Sequence, residues 1–389
     1  MTRVAIVGAK RTPIGSFQGA LNGVPSPVLG AAAIQAALAE SGIAPEQVHE
    51  LLMGCVLPAG LGQAPARQAG LKSGLPLGVG ATTLNKVCGS GMKAIMLGSD
   101  AIKAGSAGIV VAGGMESMSN APYLLAKARG GYRYGHDKVF DHMALDGLEN
   151  AADGKAMGEF GEVCAAKYDF TREKQDAFSS ESVRRAVAAR ENFAAEIVGV
   201  KVAGRKGEVL VDADEEPARC DLSKIPTLRA AFRKDGTITA ASSSKISDGA
   251  AAVVLASEAE VERLGLKPLA WISGYTTHSQ EPEWFTTAPG PAINRLRERL
   301  GWSADDVDLY EVNEAFAVVA MAAMVDCGIP HEKINIWGGA CALGHPIGAT
   351  GARLVVTLLN ALRQTGGKRG IASLCIGGGE GTALAVELA

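Results

Sequence analysis

No uninterrupted apolar run in this 389-residue chain approaches the ~18 residues that a membrane-spanning helix needs. Long basic runs are missing too, and the net charge is only −3, so the electrostatic footprint of a nucleic-acid binder is absent. The seven cysteines (55, 88, 164, 220, 327, 341 and 375) are odd in number and include no Cys-x-x-Cys pair. That disfavours a disulfide framework and a metal site of the zinc type, and reduced thiols in a cytoplasmic protein are the expectation. The opening stretch MTRVAIVGAKRTPIG is too briefly apolar for a secretory signal and reads as a strand. The closing AVELA is no receptor-read address. Glycine, by contrast, is plentiful: 49 residues, well above an ordinary share of about 7%, which implies many tight turns and close backbone approaches. Hydrophobic residues make up 47% and charged ones 20%, a composition that supports a large core, and the length allows two or three domains.

The chain repeats itself. AAIQAALAESGIAPEQVHELL (32–52) aligns without gaps to PAINRLRERLGWSADDVDLYE (291–311) at an offset of 259. Each copy reads as an amphipathic helix, a glycine stop, a polar turn and a strand. VAIVGAKRTP precedes the first copy and LAWISGYTT the second, and the ends DGAAAVVLA and EGTALAVEL also correspond. In the second copy that last strand follows IASLCIGGG at once. In the first copy a charged, irregular block separates it from IVVAGGMES. The expected organisation is therefore α/β, with an N-terminal half from 1–117 plus 247–268, an inserted loop-rich domain over 118–246, and a C-terminal half over 269–389. Strands alternating with helices predict largely parallel, buried sheets covered by helices, and two copies of one unit are expected to face each other about a pseudo-dyad.

The repeat also relates two reactive groups. Cys88, in ATTLNKVCGSGMKAIMLGSDAIKAG, and His345, in GGACALGHPIGATGARLVVTLLNALRQTGG, both stand between a strand pattern and a helix pattern. Facing halves would bring together two helix N-termini, one with a thiol and one with an imidazole. A helix N-terminus and a nearby imidazole both favour a thiolate, and unpaired amides there bind developing oxyanions. The pair suggests covalent acyl transfer through a thioester; the plainer alternative is a buried cysteine and an unrelated capping histidine. CIGGGEG places Cys375 before a glycine turn, which lacks the Gly-Lys-Ser/Thr of a phosphate loop and could equally be an ordinary tight turn. EVNEAFAVVAMAAMVDCG places Asn313 and Glu314 ahead of an apolar helix, where an N-capping asparagine is the simple reading.

Taken in order along nearly the whole chain, NKVCGSGMKA, GGMESMSNAPYLL, NEAFA, GHPIGATGAR and CIGGG resemble the thiolase family, the acetyl-CoA acetyltransferases and 3-ketoacyl-CoA thiolases. The resemblance implies the thiolase fold: two homologous βαβ-type halves in a five-layer αβαβα core, with a loop domain inserted in the first half. By the same resemblance Cys88 matches the acylated nucleophile, His345 the base that activates it, and Cys375 the second cysteine, which moves the α-proton. Asn313 matches the residue that holds an oxyanion-hole water, and the amides of Cys88 and Gly377 match a second oxyanion hole. Met157, Arg219 and Ser244 match CoA contacts. The implied reaction is a reversible Claisen condensation of two acetyl-CoA to acetoacetyl-CoA and CoA, with CoA and acyl-CoA as substrates and no metal or other cofactor. The implied assembly is a homotetramer, joined through MSNAPYLLAKARGGYRYGHDKVFDHMALDGL.

The chain also departs from the family pattern. Ala156, Phe160 and Gly161 stand where a histidine, a threonine and an alanine are common, and Trp337 where an asparagine is. TAASSSKISDGAA replaces a more usual TAGNASGLNDGAA, and Glu380 stands where methionine or glutamine is frequent. These differences leave acyl-chain length open, with a degradative 3-ketoacyl-CoA thiolase for longer chains as the alternative. A non-catalytic CoA- or lipid-binding protein and a cysteine hydrolase are the alternatives of other classes. Ketoacyl synthases use two histidines where this chain has Asn313 and Cys375, which argues against them.

Overall fold

Aliphatic and small residues alternate along Val4–Arg11, and nearly all of them are buried. The computed structural model describes residues 2–204 and 207–389. Met1, at the head of the expected first strand, and Arg205 and Lys206, in the expected inserted block, lie outside the described residues. Val4–Arg11 pairs antiparallel with the wholly buried Ser247–Ser257, which pairs antiparallel with Ile109–Ser117 on its other edge. Glu50–Gly54 and Gly80–Leu84 continue the sheet in parallel.

The second half repeats the order with Ala270–Ser279, Glu380–Leu388, Arg369–Ile376 and Leu309–Val312. A bridge between Tyr310 and Ile334 holds the place of its fifth strand. Even the irregularities recur, since one first strand is bulged between Ile6 and Gly8 and the other between Ile272 and Gly274. The two first strands also touch, Ala5 opposite Trp271 and Ile6 opposite Ala270, so both halves join in one 10-stranded sheet, with the short strand Gly15–Ser16 pairing Ser247–Ser257 off the main path.

Alternation along the strands sorts the core into layers. Val110, Ala112, Val253 and Leu255 face inward onto the helices Ser90–Lys103 and Ile347–Thr365, as Leu374 and Leu384 do from the other sheet. Val111, Ala252 and Val254 face outward, beneath the helix Ser26–Ser41. In the second half, Ile371, Ala383 and Ala385 pack beneath Pro289–Leu300 and Ala317–Cys327. The result is a helix–sheet–helix–sheet–helix sandwich, the αβαβα order of the thiolase fold.

Between Ile109–Ser117 and its partner Ser247–Ser257 run the helices Met157–Lys167 and Arg172–Ala188, the second capped by Thr171. Buried Arg11 fastens this stretch to the sheet through Glu196 at 2.5 Å and Asp214 at 2.7 and 2.8 Å. Glu196 also accepts hydrogen bonds from Thr357 and Asn360 of the central helix, so the buried charges are paired and satisfied, as they must be in an interior.

Candidate active site

After Gly80–Leu84 the chain turns through Val87 at φ 45°. A β-branched residue in the left-handed region is an outlier, and costs on the order of 1–3 kcal/mol. Local hydrogen bonds hold it there. The Val87 N–H donates to Asn85 Oδ1 at 2.8 Å, the Ser90 hydroxyl to the Val87 carbonyl at 2.7 Å, and the Lys86 N–H to Ser90 Oγ at 2.8 Å. The turn sets Cys88 two residues ahead of the helix Ser90–Lys103. His345 stands the same two residues ahead of Ile347–Thr365, so the two are direct structural counterparts. The helices cross almost backbone to backbone. A Cβ on Gly91 would lie 2.8 Å from the Ala352 nitrogen, and one on Gly351 2.4 Å from the Met92 nitrogen. That close approach is what requires glycine at both positions.

Burial pushes the Cys88 thiol up to about 11, against the amides of Gly377 and of Cys88 itself, which favour the thiolate. Sequence reasoning named the influences that favour a thiolate; in the resting protein loss of water outweighs the two amides and leaves the thiol neutral. The His345 ring is buried, and that burial, with Arg353 nearby, lowers it to about 3, so at neutral pH the imidazole is uncharged. Thr350 donates its hydroxyl to the Pro346 carbonyl at 2.9 Å and so accepts from His345 Nδ1–H at 2.6 Å. This assigns the tautomer and leaves a lone pair on Nε2. The Asn313 amide approaches Nε2 at 3.5 Å.

Asn313 is no helix cap. Ala317–Cys327 is preceded by Phe316 in the capping position, and the Asn313 N–H donates to the Ser373 carbonyl at 3.0 Å. Its Oδ1 is buried without a partner among the described residues. His345 is not a cap either, because Pro346 holds that position.

Cys375 is fully buried near the end of Arg369–Ile376. Its thiol is pushed well above the ordinary range, by burial first and then by charge on Cys88, which places the two sulfurs within electrostatic reach. The following turn needs glycine, with φ 94° at Gly378 and 92° at Gly379. Gly377 looks onto Met157 and Val87, whose nearest atoms would lie 3.5 and 3.8 Å from a Cβ placed on it. Cys88, Leu57, Met118, Met143, Leu148 and Ile347 form an apolar wall on the other side.

Arg219 and Ser244 share a groove of about 380 Å³ with Phe17, Phe232 and Lys245. Phe232 packs over the backbone of Gly158, next to Met157, so the groove runs toward Gly377. Arg219 itself is tied to Glu215 at 3.3 Å. Among the departures, Phe160 stands edge-on to Phe285 in the apolar cluster that includes Cys375. Ala156 precedes the helix Met157–Lys167 without capping it, and Gly161 backs onto Ile238. Trp337 fills core space against Phe193 at 5.7 Å, edge to face.

Sequence reasoning passed over Thr350 and Glu116. The Glu116 carboxylate is fully buried and accepts amides from Val56, Leu57 and Gly348 at 2.9, 3.1 and 2.9 Å. Burial raises it to about 7. A threonine in the first turn of the helix after His345, and a carboxylate near the end of an otherwise apolar strand, were the available signals. No group of three or more histidine, cysteine or acidic side chains suited to a metal ion occurs among the described residues, and none of their helices is long and apolar enough to cross a membrane.

Residues 4–259 match the family profile described as the thiolase N-terminal domain, and residues 266–388 match that of the thiolase C-terminal domain. The chain belongs to the thiolase family. Among similar proteins, one from Chromobacterium violaceum named acetyl-CoA acetyltransferase is 50% identical over 388 residues, covering 99% of both chains. Acetyl-CoA acetyltransferase 2 of Arabidopsis thaliana is 49% identical over 390 residues, covering 99% of this thiolase and 97% of the plant protein. An acetyl-CoA acetyltransferase of Cupriavidus necator is 49% identical over the full length of both.

Proposed function

We propose that this thiolase is an acetyl-CoA C-acetyltransferase, a reading that rests on its full-length likeness to relatives bearing that name. The single structural observation that supports the mechanism is a neutral thiol on a strained turn, against the Gly377 amide, matched by an uncharged imidazole at the equivalent position ahead of the helix that crosses its own. In the first stage Cys88 Sγ attacks the thioester carbonyl of acetyl-CoA. The thiol proton passes to His345 Nε2, the carbonyl oxygen draws on the amides of Cys88 and Gly377, and the bond to the CoA sulfur breaks. The CoA thiolate leaves with a proton from Cys375, which becomes a thiolate, while His345 keeps the Cys88 proton on Nε2. In the second stage the Cys375 thiolate removes an α-proton from a second acetyl-CoA, and the enolate oxygen accepts from His345 Nε2–H and from a water on Asn313. The new carbon–carbon bond forms at the Cys88 thioester, Cys88 leaves as thiolate and takes its proton back from His345, Cys375 keeps the α-proton, and acetoacetyl-CoA is released. Every step is reversible. The thioester supplies the activation, so no metal or other cofactor enters the scheme.

CoA is assigned to the groove of Arg219 and Ser244, with its pantetheine arm passing Met157. The chain is divided into halves over 1–117 with 247–268 and over 269–389, with 118–246 as the CoA-binding and oligomer-forming insertion. Exposed Tyr123, Leu125, Tyr132, Tyr134 and Val139 are the surface through which two dimers join in a homotetramer. The seven free cysteines suit a reducing, cytoplasmic setting.

Mass spectrometry after exposure to acetyl-CoA tests the chemistry: an acetyl group on the Cys88 peptide, with acetoacetyl-CoA as product, is expected. Its absence from fresh reduced protein favours a CoA binder, and release of free acetate favours a hydrolase. Thiolysis of acetoacetyl-CoA faster than of 3-ketohexanoyl-CoA supports the acetyl specificity, and the reverse order supports the longer-chain alternative.

A further inference from the structure

Glu380, one of the departures from the family pattern, pairs with Lys86. Lys86 opens the strained turn before Cys88: its carbonyl accepts from Gly89 N–H at 3.0 Å and its amide donates to Ser90 Oγ. Glu380 closes the glycine turn that carries Gly377, lying opposite Ile376 in the hairpin. Its other carboxylate oxygen accepts from Ser279 Oγ at 3.2 Å, which fixes the side chain on the sheet. The pair therefore spans the boundary between the two halves at the point where the thiol of one meets the amide of the other. Between these turns the packing is otherwise apolar and narrow, with the Ile376 side chain against Gly89.

We infer that the Lys86–Glu380 ion pair is a positioning clamp, which sets the distance and angle between Cys88 and the Gly377 amide and so the quality of the oxyanion hole. This rests on the proposed acyl transfer at Cys88. The two side chains are 21% and 31% exposed, and exposed ion pairs contribute little to stability because water and salt screen them. The purpose of the pair is geometric. Oxyanion donors act only when aligned with the developing charge, and misplacement by about 1 Å costs up to ~100-fold in rate.

The test compares two reactions of the same sulfur. Acetylation by acetyl-CoA needs the oxyanion hole; alkylation by iodoacetamide does not. In Glu380→Gln and Lys86→Gln, acetylation of Cys88 in single turnover is expected to slow by about tenfold or more, with alkylation within about twofold of the unaltered protein and the melting temperature unchanged. The charge-swapped double variant, Lys86→Glu with Glu380→Lys, should recover most of the lost rate. Unchanged acetylation in both single variants overturns the clamp, as does a parallel fall of acetylation, alkylation and melting temperature. If the unaltered protein forms no acetyl adduct at Cys88, the acyl-transfer reading itself fails, and that result is distinct from either of the others.

Discussion

The turns before Cys88 and before His345 are the same element in two copies, yet they reach their geometry by opposite means. The first bends at a β-branched residue, Val87 at φ 45°, and leaves its cysteine partly exposed. The second bends at Gly344 with φ 106° and sets a histidine in the interior, only 5% exposed. In the proposed mechanism the first copy offers its thiol as the nucleophile, on a turn held by side-chain hydrogen bonds. The second offers its imidazole as the base, withdrawn from water and fixed in tautomer through Thr350. Divergence between the copies thus supplied two complementary groups from one scaffold.

The comparison breaks most sharply at the nucleophile. Cys88→Ala should lower acetoacetyl-CoA synthesis by at least about 10⁴-fold, since covalent chemistry has no substitute there, while the melting temperature stays close to that of the unaltered protein. His345→Ala should cost about 10²–10⁴-fold, the usual worth of a positioned acid–base, and residual acetylation of Cys88 should then rise with pH. Steady-state rates on purified variants check both.

The thiol's ionisation comes next in size. With the Cys88 thiol pushed up to about 11 and His345 lowered to about 3, the resting pair is neutral across the range between them. Raising pH below the thiol's midpoint increases the thiolate fraction about tenfold per unit. Alkylation of Cys88 in the free protein should therefore climb steadily from pH 7 to 10. A plateau near neutrality would show instead that imidazolium and thiolate coexist at rest. Removing the Thr350 hydroxyl should act less: Thr350→Val leaves Nδ1–H unpaired, at a cost of about 1–3 kcal/mol for the buried donor, and should reduce kcat with little change in KM.

Much of this was legible along the chain. The repeat exposed two halves because helix spacing and glycine stops survive duplication; Gly42 and Gly301 end equivalent helices with φ 71° and 68°. The apolar positions Met92, Ile95, Val355 and Leu359 have helical periodicity and lie in the central core. Cys88 and His345 stood out through rarity and placement. What stayed hidden depends on contacts between residues far apart in the chain. The depression of His345 and the rise of Cys88 come from burial, which no local pattern encodes. The Asn313–His345 approach and the Lys86–Glu380 pair join residues from different elements, and Val87 looks like any strand residue until its dihedral is known.

The smallest expected effect separates the two turns by stability alone. At Gly344 any Cβ would lie 2.1 Å from Ser247 Oγ, and the backbone is already in glycine's region. Gly344→Ala should therefore destabilise by about 1–3 kcal/mol. At Val87 the reverse exchange relieves a left-handed β-branched residue, but glycine adds about 0.5–1 kcal/mol of unfolded-state freedom, and the side chain's contact near Gly377 is lost. The terms oppose each other, so Val87→Gly should leave stability within about 1 kcal/mol of its starting value, read from the urea midpoint at constant slope. Destabilisation of equal size in both variants would mean that the Val87 side chain holds the turn through packing, and that its hydrogen bonds to Asn85 and Ser90 are secondary.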